Sequence, residues 1–419
     1  MMKQKKKVYF KTFGCRTNLY DSQVMMGALS EYDLTQDESQ ADVIVINSCT
    51  VTNGADTHVR SYISSVEKNK SDAKIFLTGC GAHTKGKSLL ESGRVHGVFG
   101  QSEKLKIDSL ISTQEPFYDP GDLNHIDKTI VDDFVAKSRA FIKIQEGCNF
   151  RCSYCIIPFV RGDARSMDEE GILEQIRRLA LNGFGEFVLT GTNVGSYGQK
   201  TGTSIAKLMK RISMIRGVRR IRLGSVEPIQ ITDEFKEILD EPWLEKHLHI
   251  ALQHTSPQML KLMNRRNVYK QDKELFELLA SKGFSIGTDF ITGHPGESDS
   301  LWNEAMSNVR ELPLTHLHAF TYSKRDGTPS AHMRSEVNGK LAKKRLHELE
   351  SIVKEKNLNF RNSYDGNLEV LIENEVKGLY HGYDQHFNKI IIESEDDLIG
   401  NWITIPNYEV KEDFNYAKL

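Results

Sequence analysis

The sequence predicts an α/β protein in three parts. An open parallel α/β unit spans residues 6–112, a full or partial (β/α) barrel spans 134–364, and a small all-β barrel spans 365–419. Three observations predict this. The 419 residues exceed what one compact core holds. β-rich runs alternate with helical patterns through most of the chain, as in parallel sheets with covering helices. From about residue 366 the helical pattern gives way to short β-rich runs, the mark of a small closed sheet.

In the first part the strand runs are KVYFKTF, ADVIVINS and AKIFLTG. The first is followed by Gly14-Cys15 and a helix-like DSQVMMGALSEY. The second ends at Cys49 and leads into a polar helix through Arg60 and Tyr62. The third ends at Gly79-Cys80. Residues 113–133 are polar, contain Pro116, Pro120 and Gly121, and read as a linker. Six strand candidates follow: FIKIQ, EFVLTG, RIRLGS, HLHIALQ, SIGTDFITG and THLHAFTY. Helical segments such as EEGILEQIRRLALNG and DKELFELLASKG separate them, the alternation of a (β/α) barrel. LAKKRLHELESIVKEKNLNFRNSY reads as a long amphipathic helix closing this part. LEVLIEN, KIIIES and NWITIP are the strands of the last.

Composition sets limits on function. The apolar fraction of 39% and charged fraction of 27% are those of a soluble globular chain. No run reaches the roughly 18–20 apolar residues of a membrane span. The start, MMKQKKKVYFKTFGC, resembles a signal peptide only until Lys11 interrupts it, so a cytoplasmic protein without a membrane partner is expected. Charge is uneven. Residues 365–419 hold 12 Asp/Glu and 4 Lys with no Arg, whereas the preceding residues hold 51 Lys/Arg against 45 Asp/Glu.

Six cysteines carry the chemistry: Cys15, Cys49, Cys80, Cys148, Cys152 and Cys155. In a cytosolic chain of this size metal binding or redox chemistry outranks disulfides. The first three each follow the carboxyl end of a predicted strand, and in an open parallel sheet those ends share one edge, where ligands bind. One cysteine there is ordinarily a small core residue; three at equivalent places imply convergence. The second three lie in GCNFRCSYCIIP with spacing C-x3-C-x2-C. Thiolates suit zinc or iron–sulfur clusters. Zinc sites show paired C-x2-4-C spacings and a fourth ligand, and here His125 and His247 are far off. A cubane takes four cysteines, so three leave one iron open to a non-protein ligand.

This spacing, with Tyr154 as the aromatic, resembles the signature of the radical S-adenosylmethionine superfamily. The resemblance implies a [4Fe–4S] cluster held by Cys148, Cys152 and Cys155, whose unique iron is chelated by the amino and carboxylate groups of S-adenosylmethionine. It implies one-electron cleavage of that cofactor to methionine and a 5′-deoxyadenosyl radical. Gly191, Ser225, Glu227, Gln253 and Thr292 stand at or near strand ends and are the expected cofactor contacts. Singly each is an ordinary turn or strand-end residue.

The upstream trio narrows the resemblance to the methylthiotransferases, whose members join an amino-terminal three-cysteine domain, a radical domain and a carboxyl-terminal TRAM domain. The landmarks are TFGCRTNLYDS, INSCTVTNGADTHVRSYI, LTGC, FIKIQEGCNFRCSYCIIPFVRGDARS and FTYSKRDGTPS, covering nearly the whole chain. The resemblance implies a second [4Fe–4S] cluster on Cys15, Cys49 and Cys80 that carries the sulfur. One S-adenosylmethionine would methylate that sulfur and a second would activate a C–H bond. No catalytic residue beyond the cluster ligands is expected. Of three branches, the motifs are most similar to the one that modifies threonylcarbamoyladenosine at C2 in the anticodon stem-loop of transfer RNA. The others act on isopentenyladenosine in transfer RNA and on an aspartate of a small-subunit ribosomal protein. GCGAH and GHPGE depart from the family's GCxAQ-like and GFPGE-like runs. An electron donor such as a flavodoxin or ferredoxin is implied; the sulfur donor is not. A reading of another class, a non-catalytic iron–sulfur RNA-binding scaffold, stands against the open-iron spacing.

For RNA, Arg161 and Arg165 follow the cluster loop and are candidate substrate contacts, with a local carboxylate as the equal alternative. KRISMIRGVRRIR, MNRRN and Lys343-Lys344-Arg345 are basic and fit phosphate contact or solvated helix faces. The acidic tail should repel phosphate unless aromatics such as Tyr380, Tyr383 and Phe387 stack on bases; the first two parts are expected to supply much of the RNA contact.

Overall fold

The structure is a computed structural model that describes residues 5–70, 72–127, 129–130 and 138–419. Its first unit is a six-stranded parallel sheet made of β1 (Lys7–Thr12), β2 (Asp33–Leu34), β3 (Val43–Ser48), β4 (Lys74–Gly79), β5 (Gly97–Phe99) and β6 (Phe117–Asp119), in the order β2-β1-β3-β4-β5-β6. Its central strand reads VIVINS and is buried throughout. A strand covered on both faces needs that near-continuous apolar run. Ile44 and Ile46 pack with Val59 and Ile63 on one face; Val43 and Val45 pack with Phe10, Met25 and Phe76 on the other. Helix α1 (Arg16–Ala28) begins directly after Cys15, five residues before the predicted pattern. The early start follows from buried polar residues on α1, among them Asn18 and Asp21, which an apolar periodicity does not detect. Helix α2 (Asn53–Asn69) is capped by Thr52, whose Oγ1 accepts the Ala55 N–H. Strand β6 lies within the expected linker and completes the sheet edge against β5. Residues 128 and 131–133 of that stretch lie outside the described residues.

The second unit is β7 (Ala140–Lys143), a short antiparallel pair β8 (Gln145–Glu146) and β9 (Arg165–Ser166), then β10 (Glu186–Thr190), β11 (Arg220–Leu223), β12 (His247–His249), β13 (Ser285–Thr292) and β14 (His316–Thr321). Strands β7, β10 and β11 form one parallel sheet and β12, β13 and β14 another. Parallel bridges Ile221–Leu244 and Val226–Ile250 carry the curve from β11 to β12. The result is a six-stranded arc in sequential order. Among the described residues β7 and β14 do not pair, so this is a partial barrel. The convex face is apolar: Phe187, Leu189, Ile221, Leu248, Ile286 and Phe290 join one large core with the covering helices. The long helix Gly339–Ser363 packs on β13 and β14.

The last unit is a curled six-stranded sheet of β15 (Leu368–Val376), β16 (Leu379–Tyr383), β17 (Lys389–Glu393), β18 (Trp402–Ile405), β19 (Glu409–Val410) and β20 (Asn415–Lys418), ordered β18-β15-β16-β17-β20-β19. All neighbours are antiparallel except β17 and β20. Lys377 and Gly378 both have positive φ, at 55° and 80°, as a two-residue hairpin requires between β15 and β16. The predicted strands account for β15, β17 and β18. The others are short or polar and lack the alternating signal.

This small sheet closes the amino-terminal end of the barrel. The turn after β16 is tied by Asp384, whose Oδ1 accepts the His386 and Asn388 N–H groups at 2.9 and 2.8 Å. It projects Phe387 between strand starts. The ring stacks on His247 at 5.3 Å and on Tyr383 at 4.8 Å, and lies under Arg139 at 5.7 Å and Arg222 at 5.0 Å. Tyr383 and Phe387, expected as candidate base-stacking residues, instead stop the barrel's lower end; Tyr380 packs on the small sheet's own core. The reason is charge: the barrel floor is rich in guanidinium groups, and aromatic faces satisfy them. Phe387→Ala is expected to cost about 3 kcal/mol by removing this plug. Calorimetric unfolding checks it, and an unchanged Tm would show that the plug carries no load.

Candidate functional site

Strands β1, β3 and β4 are neighbours, so Cys15, Cys49 and Cys80 lie side by side just beyond their carboxyl ends. Their approach is close. A Cβ built on Gly14 falls 2.5 Å from Cys49 Cβ and 2.9 Å from its Sγ, and Gly14 has φ +97°, so no other residue fits there. Cys15 occupies the N-cap of α1 without a side-chain cap bond. The first N–H groups of α1 and its dipole therefore favour negative charge beside that sulfur.

Cys148, Cys152 and Cys155 follow β8 on a loop anchored by Gln145. That carboxamide donates to the Glu146 and Gly147 carbonyls and accepts the Asn193 N–H at 2.8 Å. A closed chain of hydrogen bonds then runs from one sulfur to another. Asn193 Nδ2 donates to Cys148 Sγ at 3.4 Å, and Asn193 Oδ1 accepts from Gln230 at 2.7 Å. Gln230 Oε1 accepts the Glu227 N–H at 2.9 Å. Arg265 grips both Glu227 oxygens and donates Nη1 to Cys152 Sγ at 3.5 Å. Burial pushes the Glu227 carboxyl up, against the pull of Arg265. Hydrogen bonds to ligand sulfurs orient them and tune a cluster. Tyr154 is half-buried against Met259, Met263 and Ile291 and packs edge-on against His294.

The remaining expected contacts fall out differently. Gly191 backs onto Gln145, where a Cβ would meet the Gln145 carbonyl oxygen at 2.6 Å. Ser225 is exposed. Gln253 has φ 66° and its backbone bonds to Asp289. Thr292 is fully buried and its hydroxyl donates to the Ala342 carbonyl at 3.1 Å, beneath the long helix, which removes it from the cofactor side. Asn193, Gln230 and Arg265 were not singled out for this site. Their signal is present only as polar residues after strand ends. Arg265, counted in the basic MNRRN run, is instead enclosed, with a side chain 2% exposed. Arg220, Arg222 and Arg345 of the other basic runs are likewise buried in ion pairs.

The two trios meet through the helix Ile157–Arg161, which starts just after Cys155. Its Ile156, Ile157 and Val160 pack on Cys80. At 1.5 Å rise per residue the six steps from Cys155 to Arg161 cover about 9 Å. Arg161, expected as a substrate contact, is buried, and every nitrogen of its guanidinium has a partner. Nε donates to Cys80 Sγ at 3.2 Å, Nη1 to Asp21 at 2.9 Å and to Glu146, and Nη2 to Asn18. Arg165 is drawn into the same place, bonding the His125, Arg161 and Asp163 carbonyls and approaching Glu146 at 3.4 Å. Neither is free for RNA, because buried carboxylates claim Arg161 and backbone carbonyls with Glu146 claim Arg165. Lys143 completes the set, with Asp21 at 2.7 Å and Asp127 at 2.8 Å; Lys104 bridges the same two acids. Asp21, Asp127 and Glu146 are all held below the ordinary carboxylate range; burial opposes this, and the cations outweigh it.

Two family descriptions match the chain: the uncharacterized protein family UPF0004 over residues 7–100 and the radical SAM superfamily over residues 142–308. A "Putative methylthiotransferase" of Helicobacter pylori (strain J99 / ATCC 700824) is 52% identical over 417 residues, spanning 98% of this chain and 99% of that one. The chain belongs to the radical S-adenosylmethionine methylthiotransferase family. The threonylcarbamoyladenosine tRNA methylthiotransferase MtaB of Bacillus subtilis (strain 168) is 32% identical to this methylthiotransferase, over 95% of this chain and 93% of the other. A radical S-adenosylmethionine methyltransferase, TsrM, from Kitasatospora setae, solved with cobalamin and a [4Fe-4S] cluster bound, superposes with a TM-score of 0.60. The identity is 14%, over 78% of this chain and 77% of that one, and the likeness is one of fold. This methylthiotransferase is an enzyme that transfers a sulfur-containing group; its cofactors are S-adenosylmethionine and [4Fe–4S] clusters, two in this family.

The residues present fit those groups. All six thiols are free. Burial pushes the Cys49 and Cys155 thiols up to about 12 and raises Cys80 and Cys148 as well. These four thiols stay protonated on their own, and a bound metal is the kind of partner that would make thiolates of them. Asn193, Arg265 and Arg161 supply the donors that would stabilise their sulfurs.

The buried charges yield a sign-definite expectation. Because Asp21, Asp127 and Glu146 are depressed, their stabilisation is present above the unfolded carboxylate range, near pH 4, and is lost as the pH falls through the lowered native values. Arg161→Met removes a buried cation from Asp21 and Glu146, leaving them only the lysines and Arg165, and is expected to cost about 3 kcal/mol at pH 7. The deficit should narrow as the pH is lowered into the acid range. Urea unfolding at several pH values measures it; a deficit independent of pH would refute the charge account.

Proposed function

We propose that this methylthiotransferase modifies transfer RNA at N6-threonylcarbamoyladenosine next to the anticodon, adding a methylthio group at C2. The observation that carries the reading is the meeting of two three-cysteine groups, each one ligand short of a complete cluster, across the single helix Ile157–Arg161. In this reading Cys148, Cys152 and Cys155 hold the cluster that engages S-adenosylmethionine, and Cys15, Cys49 and Cys80 hold the auxiliary one. When bound, these groups supply radical chemistry at an unactivated aromatic C–H and the sulfur to be inserted, which acid–base side chains do not. The chain's own residues do the rest. Arg265 and Asn193 orient the radical-side sulfurs, Arg161 orients Cys80, and buried walls around Cys49 and Cys80 exclude water.

The threonylcarbamoyl assignment is supported by the motifs shared with that branch and by relatives bearing its name. For RNA approach, the carboxyl-terminal mouth of the barrel carries a groove of about 650 Å³ lined by Asn53, Tyr322, Lys324, Lys340 and Lys343. It lies beside the ends of β13 and β14, on the side opposite the acidic tail's plug, and its lysines suit phosphates. Electrons from a small donor such as a flavodoxin or ferredoxin and a cytoplasmic site of action belong to the same proposal. No helix among the described residues is long and apolar enough to cross a membrane.

Anaerobic single-turnover assays test the division of labour. Cys15→Ala is expected to abolish methylthio product while 5′-deoxyadenosine release continues; Cys152→Ala should abolish both. Methylthio product from Cys15→Ala would sink the auxiliary-cluster assignment. Nucleoside mass spectrometry of transfer RNA with and without the gene identifies the base: loss of 2-methylthio-isopentenyladenosine instead would overturn the substrate.

A further inference from the structure

The concave face of the barrel holds a polar cluster that the cysteine chemistry does not use. His249 on β12, Asp289 on β13 and His318 on β14 point to the same face of three adjacent strands, where strand alternation puts their apolar neighbours Leu248, Phe290 and Leu317 on the other. His249 Nε2 lies 3.1 Å from Asp289 Oδ1 without a properly directed hydrogen bond, and His318 Nδ1 lies 3.8 Å from the same oxygen. The histidine rings are 5.4 Å apart. His318 is 74% exposed and Phe320, beside it, is 47% exposed, so the cluster opens inward.

A cation faces this cluster from the other unit. Arg16 is the first residue of α1, directly after Cys15, and reaches into the barrel until its guanidinium stands over Phe387 at 6.0 Å. Among the described residues no carboxylate lies within 4.0 Å of it. Glu186 and Glu373, on the same floor of the barrel, are engaged by Arg139, Arg220 and Arg222. Phe387 also stacks on His247 at 5.3 Å, and the His247 ring lies 6.4 Å from that of His249, so Arg16 and the cluster share the concave face. Through Arg16, the first residue of α1, this face is joined to Cys15 of the first trio. An unpaired guanidinium on a half-buried wall is a binding element for an anion, most of all a planar carboxylate.

We infer that Arg16 and His318, with His249 held by Asp289, form the pocket that receives an anionic carboxylate substituent on the substrate base. The inference rests on the sulfur-insertion reading above and deepens it. The threonylcarbamoyl group ends in a carboxylate, whereas an isopentenyl group offers no charge to Arg16. Arg16 is a specificity residue, and Asp289 is a positioning residue that acts through the histidines.

The test uses the reconstituted full-length enzyme and four anticodon stem-loop RNAs. The target base carries the threonylcarbamoyl group as its free acid, the same group as its carboxamide, an isopentenyl group, or no substituent. The wild type should favour the acid over the carboxamide by about 10- to 100-fold in kcat/KM, the range of one charge-assisted hydrogen bond. Arg16→Gln and His318→Ala should erase most of that ratio, and Arg16→Lys should restore part of it. Iron per chain shows whether Arg16→Gln keeps its clusters; if it does not, the exposed His318→Ala decides. Equal weakening of all four RNAs would mean that Arg16 reads a backbone phosphate, and the inference falls while the substrate reading stands. A wild type that acts on the isopentenyl RNA in preference overturns the substrate reading and the inference together.

Discussion

The buried ion cluster around Arg161 is the constraint on which the rest depends. Asp21 comes from α1, Lys104 from the far end of the first sheet unit, Lys143 and Glu146 from the first barrel strands, and Arg161 from the helix after the cysteine loop. Charges of this kind are costly to bury and tolerable only with every partner in place. They therefore act as a docking code between the sheet and the barrel. An apolar interface would allow sliding, whereas here one register neutralises each charge. Because Arg161 also donates to Cys80, the same guanidinium that joins the two units fixes a cysteine of one trio a short helix away from the other.

From that joint the two ends of the barrel take opposite duties. The carboxyl-terminal end holds the cysteine loop, its ring of sulfur-directed hydrogen bonds and the lysine-lined groove. The amino-terminal end is stopped by Phe387 and the guanidinium groups around it. Charge sorting explains the arrangement. The tail is too acidic to meet phosphate broadly, and its turn serves the fold by facing buried arginines, with the Asp384 carbonyl accepting from Arg222 at 3.1 Å. What remains open between the ends is the polar concave face that carries His249, Asp289 and His318.

Cysteine spacing in sequence and cysteine convergence in space are separate matters in this family member. Cys148, Cys152 and Cys155 are local, and a short loop suffices to gather them. Cys15, Cys49 and Cys80 are about 30 residues apart and are gathered only because β1, β3 and β4 are adjacent in a parallel sheet. The closeness of Gly14 to Cys49 shows how little freedom that edge retains.

By itself the sequence determined the three-part architecture, the six cysteines and their division into two groups, because periodicity and spacing are properties of the chain. It also carried the family, through motifs built on those spacings. The fate of the charged residues was decided by tertiary structure alone. Arg161, Arg165 and Arg265 look like solvent-facing or RNA-facing basic residues in a linear reading, and Thr292 like a polar contact at a strand end. The first three are drawn inward onto carboxylates, carbonyls and cysteine sulfur, and the last bonds a helix 50 residues away. Weak short strands such as β2, β5 and β6 were equally illegible, since their stability comes from neighbours in the sheet. A charge's partner is set by which distant segment folds against it, and no local pattern records that choice.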